Sequence, residues 1–594
     1  MKKRIFSRLL TAILLLGILT LVLDIPFQTH LLANDLDEGI PWLGEDLQVE
    51  TLKPVDYVSV YESFETIIDQ PLLIDTELIY VIENATDLYH LSRLSLGEDR
   101  SYYLSLNYVL GNDIDYYEAL LENMDYRFYP IGIFEPFTGT FDGQGFEITN
   151  LYFQTILDEE IYDSMFYGMR YLSMFSKIGS EAHVHHFGLI NPIMIQPIEW
   201  GSLSYASYLA GENYGTIDHV YVLDTREDAS GLHVDGAFHL AGLVSINYGL
   251  MEDLWISSPY IRSRAVVHAL SVSQVLTTNH GEINHIYYDH EVSKEVISAT
   301  HGIGLDTVSF QEPTFFSTSW YFNDAYLALT DDELAYDQLL SHDLYPSLHG
   351  LDIDQKELLI SKPSDLLVMQ ELLGRSGFFR TSTFVLSADI DMRALAKNAY
   401  KAQTIGFNGL FKSRIIEASQ TLYDHQAGDG GSPMHYAIFN LQIRHETIEQ
   451  DQGIYGLFGV LFGRVENLNF RRAIIDVDLS TAKSKQLAVG LIAGQMIGGT
   501  IANVHIDQIV SIHDEVQAID ELSIAGFVAQ ASGVIESSSV TGTIYQSILN
   551  TQSSWIHKQG GMVADAHGLI ISSSVADINQ HLDSTPLTHS NTYQ

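Results

Sequence analysis

The sequence predicts an all-β chain made of two tandem parallel β-helix (β-solenoid) domains, each with a short helix-like cap near its N-terminus. Three observations carry that expectation. Turn-forming glycines recur at steps of 32 to 35 residues. Aromatic residues are plentiful (33 Tyr, 27 Phe) beside many Val and Ile, and only 14 Pro are present, a composition that suits pleated surfaces. The order of motifs in the first half returns in the second.

The chain opens with Lys2, Lys3, Arg4 and Arg8, then an apolar run from Leu9 to Leu23. A basic start followed by an apolar stretch of this length reads as a secretory signal over residues 1–33, cleaved or kept as an N-terminal anchor. Either way the remainder is expected outside the cytoplasm, at the cell surface or secreted, with any membrane contact confined to that segment. Residues 34–79 are acidic and poor in repeats and read as a spacer.

Residues 80–349 form the first expected solenoid. It begins with Tyr80-Val81-Ile82, then Ala85-Thr86-Asp87-Leu88, where Thr86 is the expected helix cap and Asp87 sits in the first turn. Asp113-Ile114-Asp115, Pro130-Ile131-Gly132 and Asp142-Gly143-Gln144-Gly145 follow, the last a strong turn signal. The repeat itself then appears as Asn213-Tyr214-Gly215, Asn247-Tyr248-Gly249 and Asn279-His280-Gly281, each followed by apolar residues two and five positions after the Gly. A unit this short buries its apolar face only by stacking on its neighbours. Gly or Asn is expected to supply the positive φ of a tight corner. The domain closes on an aromatic stretch from Trp320 to Tyr345-Pro346-Ser347-Leu348.

Residues 350–357 read as a linker, and 358–594 as the second solenoid. It repeats the order with Pro363-Ser364-Asp365-Leu366 (Ser364 the expected cap), Asp389-Ile390-Asp391 and Thr404-Ile405-Gly406. An insertion around Asp429-Gly430-Gly431 stands in place of the Asp-Gly turn, and glycine turns return at Gly499, Gly533 and Gly568. No second closing Trp…Tyr-Pro-x-Leu segment occurs, so the expectation is a truncated chain or a frayed last coil.

Composition narrows function. Lys+Arg number 30 against 76 Asp+Glu, a net charge of −46, which repels nucleic acid and anionic lipid. Without cysteine there are no disulfides, thiolate metal sites or thiol catalysis. Neither a Gly-x-Ser-x-Gly elbow nor a phosphate-binding loop is present.

Gly456-Leu457-Phe458-Gly459, followed by Val465-Glu466-Asn467-Leu468-Asn469-Phe470, resembles the GLUG-repeat proteins of bacterial surfaces. The lead-in from Thr86 to Gly145 and the closing Trp320…Leu348 look like that family too, and the resemblance covers about residues 80–580 in two copies. It implies right-handed parallel β-helices in exported, adhesin-like proteins. Related repeats accompany immunoglobulin-cleaving zinc peptidases. Their His-Glu-x-x-His is absent here, since His445-Glu446 is followed by Glu449.

Candidate site residues are few. No catalytic or cofactor-binding residue is assigned. Asp113, Asp115, Asp389 and Asp391 form Asp-Ile-Asp pairs whose carboxylates share a face on a strand. They read first as turn residues bonding backbone N–H groups, with calcium ligation, and then catalysis, as the sharper alternatives. His183 and His185 of His183-Val184-His185-His186 share a strand face, as a metal pair would, against the plainer reading of solvent-facing histidines. Tyr152, Tyr167, Tyr171, Trp200, Tyr205 and Tyr208 could form a carbohydrate platform or simply pack corners. The expected function is a non-catalytic surface scaffold or adhesin for a glycan or protein ligand. The alternative is a polysaccharide lyase or hydrolase on the same fold.

Overall fold

The computed structural model describes residues 79–97, 99–122, 128–154, 171–196, 205–226, 232–234, 239–259, 261–262, 271–292, 301–317, 319–322, 345–375, 377–396, 400, 405–414, 435–445, 453–478, 486–513, 521–547, 556–560, 562–567, 569–571, 574–582 and 590–593. The leader, nearly all of the acidic spacer and the Asp429–Gly431 insertion lie outside these residues. Among the described residues, no helix is long and apolar enough to cross a membrane.

The chain is a parallel stacked-coil β-solenoid. Among the described strands every pairing is parallel except one hairpin, Ile353–Asp354 with Glu357–Ile360, which lies across the expected linker. In the first stack the middle coils place strands in four sheets. The coil after Tyr205, for example, runs Tyr205–Ser207, Ala210–Asn213, Thr216–Leu223 and Leu232–Val234. The second stack uses longer strands, such as Ala493–His513, in one 16-stranded and one five-stranded sheet.

The Asn-x-Gly repeats form one corner. Asn213, Asn247 and Asn279 are in register. Asn213 Nδ2 donates to Asn247 Oδ1 (2.8 Å), and Asn247 Nδ2 to Asn279 Oδ1 (3.0 Å). Asn213 and Asn247 are fully buried. Each amide oxygen also accepts from the backbone N–H of its own turn glycine.

The glycines do not serve the purpose the sequence suggested. None of Gly215, Gly249 and Gly281 has a positive φ. They are needed for close approach instead. A Cβ on Gly249 would lie 2.0 Å from Gly215 O, and one on Gly281 2.1 Å from Gly249 O. Left-handed backbone occurs four residues further on, at His219, Asp253 and His285 (φ 49°, 52° and 50°). His186 (φ 55°) holds the same place one coil earlier, and in the second stack Asn467, Asn503 and Ser537 hold it. This residue breaks plain alternation. Ile217 and Val220 both face the core, three apart, where an unbent strand would require an even spacing.

Past the left-handed residue, the outward side chains are also buried. Tyr221, Trp255 and Tyr287 are in register and form a second apolar cluster with Phe310, Trp320, Phe322 and Leu348. Gly188 leaves room here, because a Cβ on it would meet the Tyr221 ring at 2.3 Å. The expected closing segment is therefore a lateral clamp, with Tyr321 and Ser347 exchanging backbone hydrogen bonds of 2.8 and 3.0 Å.

The main hydrophobic core runs through both stacks as one cluster. The Asp-Gly turn helps to join them. Gln144 Nε2 donates to Leu110 O and Ala394 O (both 2.8 Å), Ser364 Oγ donates to Gln144 O (2.9 Å), and Ala396 N donates to Gly111 O (2.9 Å). Ser364 thus ties the two stacks together from within the helix Pro363–Arg375. The first helix, Ala85–Leu94, is capped by Asn84, whose side chain accepts from Asp87 N at 3.0 Å. Thr86 lies inside that helix and is not its cap, because Asn84 is the residue in extended conformation before the first turn.

Asp87 reaches back to accept from Glu83 N at 2.9 Å. Burial pushes its carboxyl up to about 6. The folded state therefore binds this proton more tightly than the unfolded chain, whose carboxyl titrates near pH ~3.9. The stabilisation of the protonated form is complete below about pH 4 and is lost as pH rises through about 6. Asp87→Asn keeps an oxygen acceptor for Glu83 and removes the buried charge. It is expected to raise stability by about 1–3 kcal/mol at pH 7.5 and to change little at pH 4. Thermal melts at the two pH values check this, and an equal effect at both would contradict it.

Candidate functional site

The Asp-Ile-Asp carboxylates connect successive coils. Asp113 Oδ1 accepts from Glu147 N (2.9 Å), and Asp389 Oδ1 from Ala437 N (2.7 Å). Asp115 Oδ1 accepts from Asn150 Nδ2 (2.9 Å), and Asp391 Oδ1 from Asn440 Nδ2 (2.8 Å). Asn150 and Asn440 both have left-handed backbone (φ 58° and 57°), so the two halves build this corner alike. Asp391 also pairs with Arg393. The four carboxylates belong to two separate corners, and none of them falls in a cluster with metal-ligand spacing among the described residues.

The aromatic candidates divide. Tyr208 is core, Tyr205 stacks on His239 at 4.9 Å, and Tyr152 packs against the core. Tyr171 lies in a strand paired with that of Tyr205. Tyr167 and Trp200 lie outside the described residues. An aromatic ladder absent from that list sits at the middle position of Asn-x-Gly. Tyr214 stacks on Tyr248 at 4.7 Å, and Tyr248 on His280 at 5.0 Å. Both faces of Tyr248 are taken by its neighbours, so this ring presents its edge to solvent.

The densest chemistry lies on the 10-stranded sheet. Asp142, His185, Asp218, Glu252 and Asn284 occupy one register line on five successive coils. The left-handed residue follows directly at His186, His219, Asp253 and His285. Parallel pairing brings such positions to within one strand spacing, about 4.8 Å, so residues 30 or more apart in sequence become neighbours.

His183 and His185 do share a face, with rings stacked at 3.9 Å. Asp218 on the next coil joins them, its Oδ2 hydrogen-bonded to His183 Nε2. Asp218 Oδ1 bonds His219 Nδ1 at 2.7 Å, and His219 Nε2 meets Ser317 Oγ of the clamp at 3.1 Å. His185 Nδ1 lies 2.7 Å from His186 Nδ1 and 3.6 Å from Asp142 Oδ1. The His186 and His219 rings stack at 4.7 Å. Further along, Asp253 Oδ2 lies 3.6 Å from His219 Nε2, and its Oδ1 lies 3.2 Å from His285 Nδ1.

The electrostatics follow from this packing. The hydrogen bond to Asp218 raises His183 above an ordinary imidazole. Burial opposes ionisation of Asp218, yet the hydrogen bonds to His183 and His219 hold its carboxyl well below the usual range. Burial lowers His185. Burial, reinforced by the neighbouring His185 and His219, takes His186 down to about 3. Near neutral pH the cluster therefore offers unprotonated imidazole at His185 and His186 beside an ionised Asp218. Three overlapping triads have ligand atoms mutually within 4.8 Å: Asp142/His185/His186, His183/His185/Asp218 and His186/Asp218/His219; Glu252/Asp253/His285 is a fourth.

From sequence only the first strand of this cluster was legible. The rest had a signal, since its left-handed members fall four residues after the repeating glycines at 215, 249 and 281. No family model matches the chain, and no curated protein or solved structure matches it either.

Proposed function

We propose that this chain is an exported β-solenoid of a bacterial cell surface, a non-catalytic scaffold or adhesin that holds a glycan or protein ligand. The observation that carries this reading is the in-register parallel stack. Each register line repeats a side-chain position from coil to coil, which gives a periodic surface suited to many weak contacts with a repetitive partner. The basic-then-apolar start, the absence of cysteine and the excess of acid support an extracytoplasmic setting. The resemblance to GLUG-repeat proteins supports the same reading. The Asp-Ile-Asp carboxylates are engaged in hydrogen bonds between coils, and this argues against their use in polysaccharide cleavage.

One experiment tests the reading against its enzymatic rival. The purified protein is incubated with a panel of neutral and acidic polysaccharides, with and without calcium. New chain ends and retained polymer are both measured. Saturable retention without fragments is expected. Release of fragments from any one polymer would overturn the non-catalytic assignment.

A further inference from the structure

We propose that the first stack binds a divalent transition-metal ion of the zinc class through His183, His185 and Asp218. The inference concerns a different property from surface display and stands whether or not the protein is an adhesin.

The donor set comes first. Two imidazoles and one carboxylate, all with ligand atoms within 4.8 Å of each other, suit a borderline cation that accepts nitrogen and oxygen. Calcium prefers six to eight oxygens, and this site does not offer them. The surroundings hold the ligands in place as outer partners of a metal do. Asp218 keeps Oδ2 on the His183 side while its Oδ1 is taken by His219, itself held by Ser317. The His185 ring is fixed by the Nδ1 contact with His186. Access is open on one side, because the His183 side chain is 42% exposed while that of Asp218 is 15% exposed.

The second stack provides an internal control. Its left-handed column reads Asn467, Asn503 and Ser537, with Asn503 Nδ2 donating to Asn467 Oδ1 at 2.8 Å. Asparagine is an ordinary occupant of that conformation, so the corner does not need histidine or a carboxylate. The preceding register line reads Glu466, Ala502 and Glu536 there and carries no histidine. In the first stack the same two columns hold His185, His186, Asp218, His219, Asp253 and His285. In the second stack the left-handed column is uncharged and the preceding line has carboxylates but no histidine, whereas the first stack brings histidine into both. Self-pairing among histidines and carboxylates would satisfy these groups, but it does not account for their being gathered there.

The test uses full-length protein without an affinity tag, stripped with a chelator and titrated with Zn2+ by calorimetry. About one tightly held zinc per chain is expected, unaffected by excess Ca2+. His183→Gln and Asp218→Asn are each expected to weaken binding at least ~100-fold, beyond the loss typical of an outer partner. His505→Gln, on the second stack, should leave it unchanged. Melting of each variant in chelator shows whether it is folded. X-ray absorption on the zinc-loaded parent needs no variant and should show imidazole nitrogen in the first shell. Absence of stoichiometric zinc, binding indifferent to both ligand substitutions, or an all-oxygen shell would each overturn the proposal.

Discussion

Asn247→Leu is expected to destabilise the first stack by roughly 3–5 kcal/mol, although leucine has the same branched side-chain skeleton as asparagine. Asn247 is fully buried. Its Nδ2 donates to Asn279 Oδ1 and to the carbonyls of Gly249 and Glu282, at 3.0, 3.1 and 3.2 Å. Its Oδ1 accepts from Asn213 Nδ2 and Gly249 N, at 2.8 and 3.2 Å. Leucine removes those bonds and leaves partners on three coils facing an apolar side chain. An unsatisfied buried polar group costs about 1–3 kcal/mol, so two or three of them set the estimate. Neighbour coupling in a stacked array should spread the damage to the adjoining coils. Guanidinium unfolding combined with hydrogen exchange would measure it, with protection lost around 213–223 and 279–289. A loss under about 1 kcal/mol would mean that the amide ladder contributes little to stability.

Trp255→Ala is expected to cost about 3–5 kcal/mol and to release the lateral clamp. The indole is fully buried and stacks on Tyr221 at 4.7 Å and on Tyr345 at 5.2 Å. It also meets the edge of Phe310 at 5.7 Å and lies 6.3 Å from Trp320. Like Tyr221, which meets Trp320 at 5.9 Å and bonds Ser347, it touches both parts of the closing segment. Its Nε1 makes no hydrogen bond among the described residues, so the loss is one of packing, and Trp255→Phe should recover much of it. Limited proteolysis within 306–322 should accelerate strongly in the alanine variant while the coils stay paired. An unchanged cleavage rate would show that the clamp is held elsewhere, for instance by the Tyr345 hydroxyl on Ser257 and Asp289.

Much of the architecture was legible because a solenoid writes its period into the chain. Asn213, Asn247 and Asn279 stand 34 and 32 residues apart, and the structure puts them side by side at a corner. The motif was visible, but the reason for its glycine was misread. Glycine suggests positive φ when only local conformation is considered, whereas here the constraint comes from the carbonyl one coil away. The helix cap went astray for a related reason. Thr86, Ser364 and Asn84 are all competent caps by residue type, and Ser364 is instead used for contact with Gln144 of the other stack.

The histidine–aspartate cluster shows the same division more sharply. His183 and His185 were visible as a pair because alternation along a strand is local. Asp218, His219, Asp253 and His285 belong to other coils, and because steps of 34 and of 32 residues both end in the same register, counting along the chain does not say which residues align. By itself the sequence determined the repeat length, the β class, the acidic character and the apolar positions, all of which depend on composition and short-range pattern. Only the tertiary structure decided which columns coincide, where the clamp lies, and that one hydrophobic core joins both stacks. The physical reason is that parallel pairing turns separations of some 32–35 residues into contacts of about 4.8 Å, and the register that does so is fixed by the packing of whole coils.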